Sequence, residues 1–210
     1  MGKKVGVSSP PQHISKTKFL DAALQVIRTK GYAASTVDDI CQRAGVTKGS
    51  FFHHFPSKDE LAVAAASHWD AMTAEFFASA PYRLAPDPLD RIFGYVDFRA
   101  AILTGEPAEY TCLLGTLVQE VYATHPDIRA ACERGLCSHI AELTRDIEAA
   151  KACYAPQATW SAESLGYFIQ ALLQGSFIFA KAKQSPDIVR SNLQHLRRHL
   201  ESLFNRSAAS

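Results

Sequence analysis

The stretch VTKGSFFHHFPSKDEL, residues 46–61, concentrates side chains that can contact an anion. Gly49 lacks a Cβ and therefore permits close approach of another molecule's backbone. Lys48 offers a positive charge and Ser50 a hydroxyl, and two adjacent histidines follow. The first turn of a helix also presents free N–H groups and the positive end of the helix dipole. This combination of residues suits contacts with phosphate and with the hydrogen-bonding groups of a polyanion.

A helical wheel divides this stretch into two sides. Phe51 and Phe55 are four residues apart and share one side, where they can close a small core with a preceding helix. The opposite side is small and polar and consists of Gly49, Ser50, His53 and His54. The wheel by itself leaves two interpretations open, because this side could lie in a nucleic-acid groove or simply face water.

The elements that would position these residues are two short helices and a tight turn. Thr36 is a helix cap, and Gly45 ends the helix that it begins. Thr47 caps a second helix only two residues later, and Pro56 closes it. Another helix, which Gly31 ends, comes before both. Two short helices joined by a glycine-containing turn are typical of a helix-turn-helix.

The rest of the chain has apolar residues at helical spacing and no convincing two-residue alternation, which predicts an all-α protein of about nine helices. Three short helices at the front precede six longer ones. We expect a flexible basic tail over residues 1–13, a helix-turn-helix domain over 14–56 and a larger helical domain over 57–205. The composition, 47% apolar and 20% charged, is that of a folded globular protein.

The charges are unevenly distributed along the chain. Residues 1–60 contain nine Lys/Arg and five Asp/Glu, a net charge of +4, whereas the remainder carries −3. The basic excess therefore coincides with the helix-turn-helix and favours a polyanionic partner there. The sequence shows no secretory signal, and its longest nearly apolar run, residues 167–180, is too short to span a bilayer. These features predict a cytoplasmic protein without a membrane partner.

The five cysteines stand at positions 41, 112, 132, 137 and 153. Their odd number and the absence of a CxxC pair indicate a reducing compartment, where buried thiols act as small apolar side chains. A thiol that senses oxidants is the alternative. His195 and His199 have the i,i+4 spacing of a metal pair but lack a third ligand nearby in sequence, so no metal site is predicted.

The ordered set of residues in STVDDICQRAGVTKGSFFHHFPSKDEL, 35–61, resembles the DNA-binding signature of the TetR/AcrR family of bacterial transcriptional regulators. The places of the family pattern are held by Thr36, Ile40, Ala44, Gly45, Val46, Thr47, Gly49, Phe52, His54, Phe55 and Lys58. Phe52 departs from the pattern, because the family usually has a tyrosine there whose hydroxyl meets a phosphate. The succession of three short and six longer helices also resembles the family.

The resemblance implies that the second short helix of the helix-turn-helix enters the major groove. His53 would read bases, while Thr36, His54 and Lys58 would contact phosphates. The full set of expected DNA contacts is Thr36, Thr47, Lys48, Gly49, Ser50, Phe52, His53, His54 and Lys58.

The last helix carries apolar residues at steps of four and three, the spacing of a coiled-coil seam. Together with the family resemblance, this pattern predicts a homodimer through the last two helices. The expected interface consists of Leu165, Phe168, Leu172, Ser176, Val189, Leu193, Leu196, Leu200 and Leu203. The alternative is that these residues form the core of a single chain.

The middle of the chain is rich in aromatic residues, and the family resemblance implies a pocket there for a small, often hydrophobic effector. The candidate contacts are Trp69, Phe76, Phe98, Tyr110, Leu117, Phe168 and Leu172. The alternative is again that most of them fill the core.

These observations predict a dimeric repressor that a small molecule releases from a palindromic operator in double-stranded DNA. The absent tyrosine hydroxyl at Phe52 leaves a second reading open, a helical ligand-binding or thiol-responsive module with impaired DNA binding. The sequence contains no nucleophile elbow, phosphate-cradling glycine loop or HExxH motif. We therefore expect no enzymatic activity and no cofactor.

Overall fold

A computed structural model describes residues 11–205, with side chains from Lys16 onward. Over this range the chain is all-α and has no strand, as predicted. The helices are α1 Pro11–Lys30, α2 Val37–Ala44, α3 Lys48–His54, α4 Lys58–Ala78, α5 Pro88–Ala101, α6 Pro107–Tyr110, α7 Leu113–Val121, α8 Pro126–Tyr154, α9 Ala162–Lys183 and α10 Asp187–Leu203, with a 3-10 turn at Pro81–Leu84.

Two expectations about the chain's organisation need correction. The described residues form ten α-helices rather than nine, because the short α6 follows a proline and precedes α7 as a separate turn. The predicted tail over 1–13 is too long, because residues 11–13 already belong to α1. The rest of that tail, residues 1–10, lies outside the described residues.

The helix ends near the front of the chain follow from local signals in the sequence. The Thr36 hydroxyl accepts a hydrogen bond from the Asp39 N–H at 3.1 Å, and the Asp39 carboxylate accepts one from the Thr36 N–H at 2.8 Å. This reciprocal pair is a capping box. Gly45 ends α2 in the left-handed region at φ 66°, where a Cβ would be strained.

The three front helices do not enclose a core by themselves. Phe19, Ile40 and Phe51 are fully buried, and the same apolar cluster continues through Leu61 of α4 into the later part of the chain. That continuation comes from α7 and α8 and includes Leu113, Leu117, Val121 and Ile128. A unit of about 45 residues buries too little surface to be stable alone, so α4, α7 and the start of α8 complete its core.

A second core lies between α5, α8, α9 and α10. The seam residues of α10 belong to it, because Val189, Leu193, Leu196 and Leu200 are all buried within one chain. The coiled-coil spacing therefore describes packing of α10 onto α9 and α5. In the part of the chain that is described, no helix is both long and apolar enough to cross a membrane.

Candidate functional site

Helix α3 is fixed to the protein by its apolar side. The Phe51 ring is fully buried and meets the Phe19 ring edge-on, with 5.5 Å between the centroids. Phe55 is also buried, and its ring lies 6.1 Å from that of Phe19. The two aromatic anchors, one turn apart, hold α3 in a single orientation on α1, as the helical wheel predicts.

The opposite side of α3 faces away from the protein. Lys48, Gly49, Phe52 and His53 are exposed there, and Ser50 is half-buried. The Thr47 hydroxyl caps the helix by accepting a hydrogen bond from the Ser50 N–H at 3.2 Å. The structure therefore brings the sequence-predicted group at the start of α3 together on one continuous surface.

Gly49 is not required by the packing of the protein itself. A Cβ built at this position would come within 4 Å of a single atom, the Thr47 Oγ1 at 3.9 Å. Its φ angle also lies outside the left-handed region, where glycine would be needed. Glycine weakens an exposed helix, and no contact within the protein requires it at this position. Gly49 therefore indicates that another molecule approaches this helix closely.

Lys58 has an internal role that conflicts with its predicted phosphate contact. Its Nζ donates hydrogen bonds to the carbonyl oxygens of Tyr32 at 3.1 Å and Ser35 at 3.0 Å. The same ammonium group lies 4.1 Å from the centroid of the Tyr32 ring. Two of its three N–H donors thus join the start of α4 to the turn between α1 and α2.

His54 is half-buried at the edge of α3. Its ring centroid lies 6.0 Å from that of Phe19. Burial lowers the pKa of His54, and the nearby positive charges of His53 and Lys16 lower it further. The neutral imidazole of His54 is therefore more favoured in the free protein than it is for an isolated histidine.

A cavity of about 60 Å³ lies inside the C-terminal domain, and two of the predicted effector contacts, Trp69 and Tyr110, line it. Three other predicted effector contacts do not line this cavity. The Phe76 side chain is exposed and Phe77, next to it, faces inward instead. Phe98 packs against both of these rings. Leu117 belongs to the apolar core shared with the front helices, because α7 turns that face toward α1.

The outer face of α9 carries exposed apolar residues that the core does not use. Phe168 is 45% exposed and Phe179 is 56% exposed. With Leu172 and Gly175 they form a stripe with steps of four, three and four, which we call the α9 stripe. Phe168 and Leu172, predicted as both effector and interface residues, thus lie on the surface and not in the cavity.

The predicted dimer interface accordingly divides into two groups. Leu203 remains half-exposed on α10, and Phe168 and Leu172 belong to the α9 stripe. The others are buried within the single chain; they are Leu165, Ser176, Val189, Leu193, Leu196 and Leu200. The sequence analysis missed Phe179, although its spacing from Phe168 and Leu172 was a readable signal.

Four contacts connect α1 and the turn after it with the cavity-bearing part of the chain. The Glu120 carboxylate accepts hydrogen bonds from the N–H groups of Tyr32 at 3.0 Å and Ala33 at 2.9 Å. Arg28 Nε donates to the Thr111 carbonyl oxygen at 3.0 Å, and the Arg28 guanidinium lies 4.6 Å from the Trp69 ring centroid. Since Trp69 and Thr111 also line the cavity, a change in the cavity can reach α1 through one residue.

Comparison with known proteins agrees with this geometry. A sequence model of the tetR family of bacterial regulatory proteins matches residues 19–65, and a model of the tetracyclin repressor-like C-terminal domain matches residues 88–196, over half of the chain. The chain belongs to the TetR family. It is therefore a DNA-binding transcriptional regulator, and a module that has lost DNA binding is not favoured.

Two relatives of this TetR-family regulator resemble it over most of their length. The transcriptional regulator AcuR of Cereibacter sphaeroides is 26% identical over 191 residues, which are 91% of this chain and 87% of AcuR. The repressor NemR of Escherichia coli is 25% identical over 195 residues, 89% of this chain and 94% of NemR.

Solved structures show the same fold. The crystal structure of the reduced form of Escherichia coli NemR aligns with a TM-score of 0.75 at 23% identity, over 88% of this chain and 96% of that one. A TetR regulatory protein from Rhodobacter sphaeroides aligns with a TM-score of 0.79 at 26% identity, over 89% of this chain and 98% of that one.

His139 in this TetR-family protein makes the folded state sensitive to acid. Its Nε2 lies 3.0 Å from the Tyr95 hydroxyl, and its ring centroid lies 4.9 Å from that of Phe77. Burial, with the nearby positive charge of Arg99, lowers the pKa of His139 to about 3. The folded chain therefore holds a neutral imidazole at pH values where the unfolded chain is protonated.

We expect this histidine to make stability fall as the pH drops below the usual histidine pKa. Because the unfolded state binds the additional proton, the free energy of unfolding should decrease by about 2 kcal/mol between about pH 7.5 and 5 through this group alone. Urea titrations at both pH values would show a loss smaller by that amount in His139→Gln than in the wild type. An equal loss in both proteins would contradict the assignment.

Proposed function

We propose that this regulator is a homodimeric repressor that binds a palindromic operator through α3 of each protomer and leaves it when a small effector binds the C-terminal domain. The observation that carries the proposal is the exposed side of α3. Small and polar groups of residues 47–54 face outward there, around a glycine whose Cβ position is open. Phe51 and Phe55 hold the helix from behind. A rigid helix with such a surface fits a major groove.

A dimer supplies the second reading helix. The α9 stripe leaves apolar side chains exposed on the surface of the folded chain, and exposed apolar surface of this kind favours association. Two-fold symmetry would place two copies of α3 about 34 Å apart or at a multiple of that distance, so that they meet successive major grooves on one side of the duplex. The operator would then be a palindrome.

The contacts of Arg28 and Glu120 support a mechanism of release. Arg28 joins α1 to the cavity-lining Thr111, and Glu120 holds the turn that follows α1. Helix α1 also carries Phe19, on which α3 rests. An effector that prefers one arrangement of Trp69 and Thr111 would shift α1, and with it the distance between the two copies of α3. Only a ligand with unequal affinities for the two arrangements has this effect.

Selection of bound fragments from a pool of genomic DNA, followed by fluorescence anisotropy on the selected operator, tests the proposal. We expect His53→Ala to lose discrimination at one base pair of each half-site, an effect of about 1–3 kcal/mol. The matched control is Lys48→Ala, which removes an exposed charge that pairs with the exposed Asp38. This control should weaken binding to every sequence alike and reduce its salt dependence.

Recovery of fragments without a palindrome would contradict the two-fold arrangement. The same effect of both variants on all operator sequences would contradict the assignment of His53 as a base reader.

A further inference from the structure

The cavity in the C-terminal domain combines apolar walls with one cation. Its aromatic and aliphatic walls come from α4, α7, α8 and α9 and include Trp69, Phe77, Leu114, Leu136 and Phe177. The cation is Arg99 of α5, and two neutral amides of α9, Gln170 and Gln174, accompany it. A cavity of this composition fits a ligand that is mostly apolar and bears a group able to meet a guanidinium.

Arg99 has no acidic partner among the described residues. Its guanidinium carbon lies among aromatic rings, with centroids at 5.2 Å for Phe77, 5.5 Å for Phe177 and 5.9 Å for Tyr95. Aromatic faces stabilise a cation only in part. A guanidinium held between three rings still has planar pairs of N–H donors for an anion.

Other arginines of this domain are neutralised within the chain. Arg83 and Arg91 both bind the buried Asp146 carboxylate, with 2.7 Å from Arg91 Nε to Asp146 Oδ1. Arg197 binds Asp97, with 2.7 Å between Nη1 and Oδ1. Arg99 differs because it is half-buried at the wall of a cavity and has no acidic partner of this kind among the described residues.

The groups next to Arg99 do not compete with an anion for it. Tyr95 is fully buried and its hydroxyl pairs with His139. The positive charge of Arg99 contributes to the lowered pKa of His139, so that this imidazole stays neutral. Arg99 is the arginine that lines the cavity itself, while the Arg28 guanidinium lies behind the Trp69 ring.

We propose that the effector is a small monocarboxylate, whose carboxylate binds the Arg99 guanidinium and whose short apolar part packs against Trp69 and Phe177. A carboxylate matches the planar fork of a guanidinium with two parallel hydrogen bonds. The cavity is small, with a volume of about 60 Å³, so a compact ligand suits it. The inference rests on the proposed function, since it names the chemical class of the effector in that mechanism.

Binding of two short acids and of their uncharged amides to the full wild-type chain tests the inference without any variant. Calorimetry and thermal unfolding would be measured with sodium propionate and sodium butyrate, and with propionamide and butyramide. At least one acid is expected to bind, to raise Tm, and to bind at least tenfold more tightly than its amide. Sodium chloride at the same concentration controls for a general salt effect.

Two arginine variants locate the contact. Arg99→Gln is expected to weaken binding of the acid at least tenfold. Arg99→Lys keeps the charge but loses the planar pair of N–H donors, so its affinity for the acid should lie between those of Arg99→Gln and the wild type. The matched control is Arg134→Gln, on an exposed position of α8, which should bind the acid as the wild type does. Circular dichroism establishes that each variant is folded before its affinity is compared.

Several results would overturn the inference. They are equal affinities of the wild type for acid and amide, effects of both acids no larger than that of sodium chloride, and undiminished binding of the acid by folded Arg99→Gln. Operator binding without ligand is measured separately. Its absence would refute the proposed function while leaving the acid-binding result interpretable, and its presence without acid binding would refute only the carboxylate inference.

Discussion

Gly49→Gln is expected to fold normally and to lose at least tenfold in operator affinity, about 1.4 kcal/mol or more. The two effects separate because the position is open in the free protein. A Cβ there meets only the Thr47 hydroxyl oxygen, at 3.9 Å. A side chain projecting from the first turn of α3 would instead collide with a DNA backbone that approaches this turn.

Stability should move in the opposite direction from DNA binding. Glutamine favours helix more than glycine does, so the free energy of unfolding of Gly49→Gln should be unchanged or higher by up to about 1 kcal/mol. Anisotropy with the operator and urea unfolding monitored by circular dichroism measure the two quantities on the same preparation.

Gly45→Ala is the matched control for this prediction. No atom lies within 4 Å of a Cβ at Gly45, but its φ of 66° is left-handed. An alanine there should therefore lower the free energy of unfolding by about 1–2 kcal/mol. If Gly49→Gln bound the operator as tightly as the wild type, the start of α3 would not approach the DNA backbone.

The double substitution Phe168→Glu, Phe179→Glu should convert the proposed dimer to monomers. Both rings lie on the α9 stripe and are about half exposed, so their replacement leaves the core of a single chain unchanged. In a dimer, however, four carboxylates would be removed from water without partners, which is strongly unfavourable. We expect the dimer dissociation constant to rise at least about 100-fold, or about 2.7 kcal/mol.

Size-exclusion chromatography with light scattering measures the assembly, and anisotropy measures the accompanying loss of operator affinity. The control is Leu84→Glu, which places the same charge at an apolar residue that is 87% exposed in the 3-10 turn. That variant should assemble as the wild type does. A double variant that remained dimeric would show that the α9 stripe is not the interface.

The sequence alone determined the features that depend on residues close together along the chain. The cap at Thr36, the turn at Gly45 and the two-sided character of α3 follow from spacings of three and four residues, and these features agree with the structure. The family signature is also local, because it is an ordered set of residues within one short segment. Fold class and family were readable for that reason.

Only the tertiary structure decided which surfaces are internal. The seam on α10 and the α9 stripe have the same spacing, and spacing cannot state which of them faces the rest of the chain. Packing against α5 and α9 buries the α10 seam, and the stripe remains outside.

The partners of single charges were likewise decided by distant segments. The sequence predicts that Lys58 contacts a phosphate. In the folded chain its Nζ also donates hydrogen bonds to two carbonyl oxygens of the turn after α1. Arg99 had no distinguishing sequence signal, because its place among three rings depends on helices far apart in the chain. Local backbone geometry depends on residues close together in the sequence. Burial and charge pairing depend on contacts between residues that are far apart in the sequence and meet only when the chain folds.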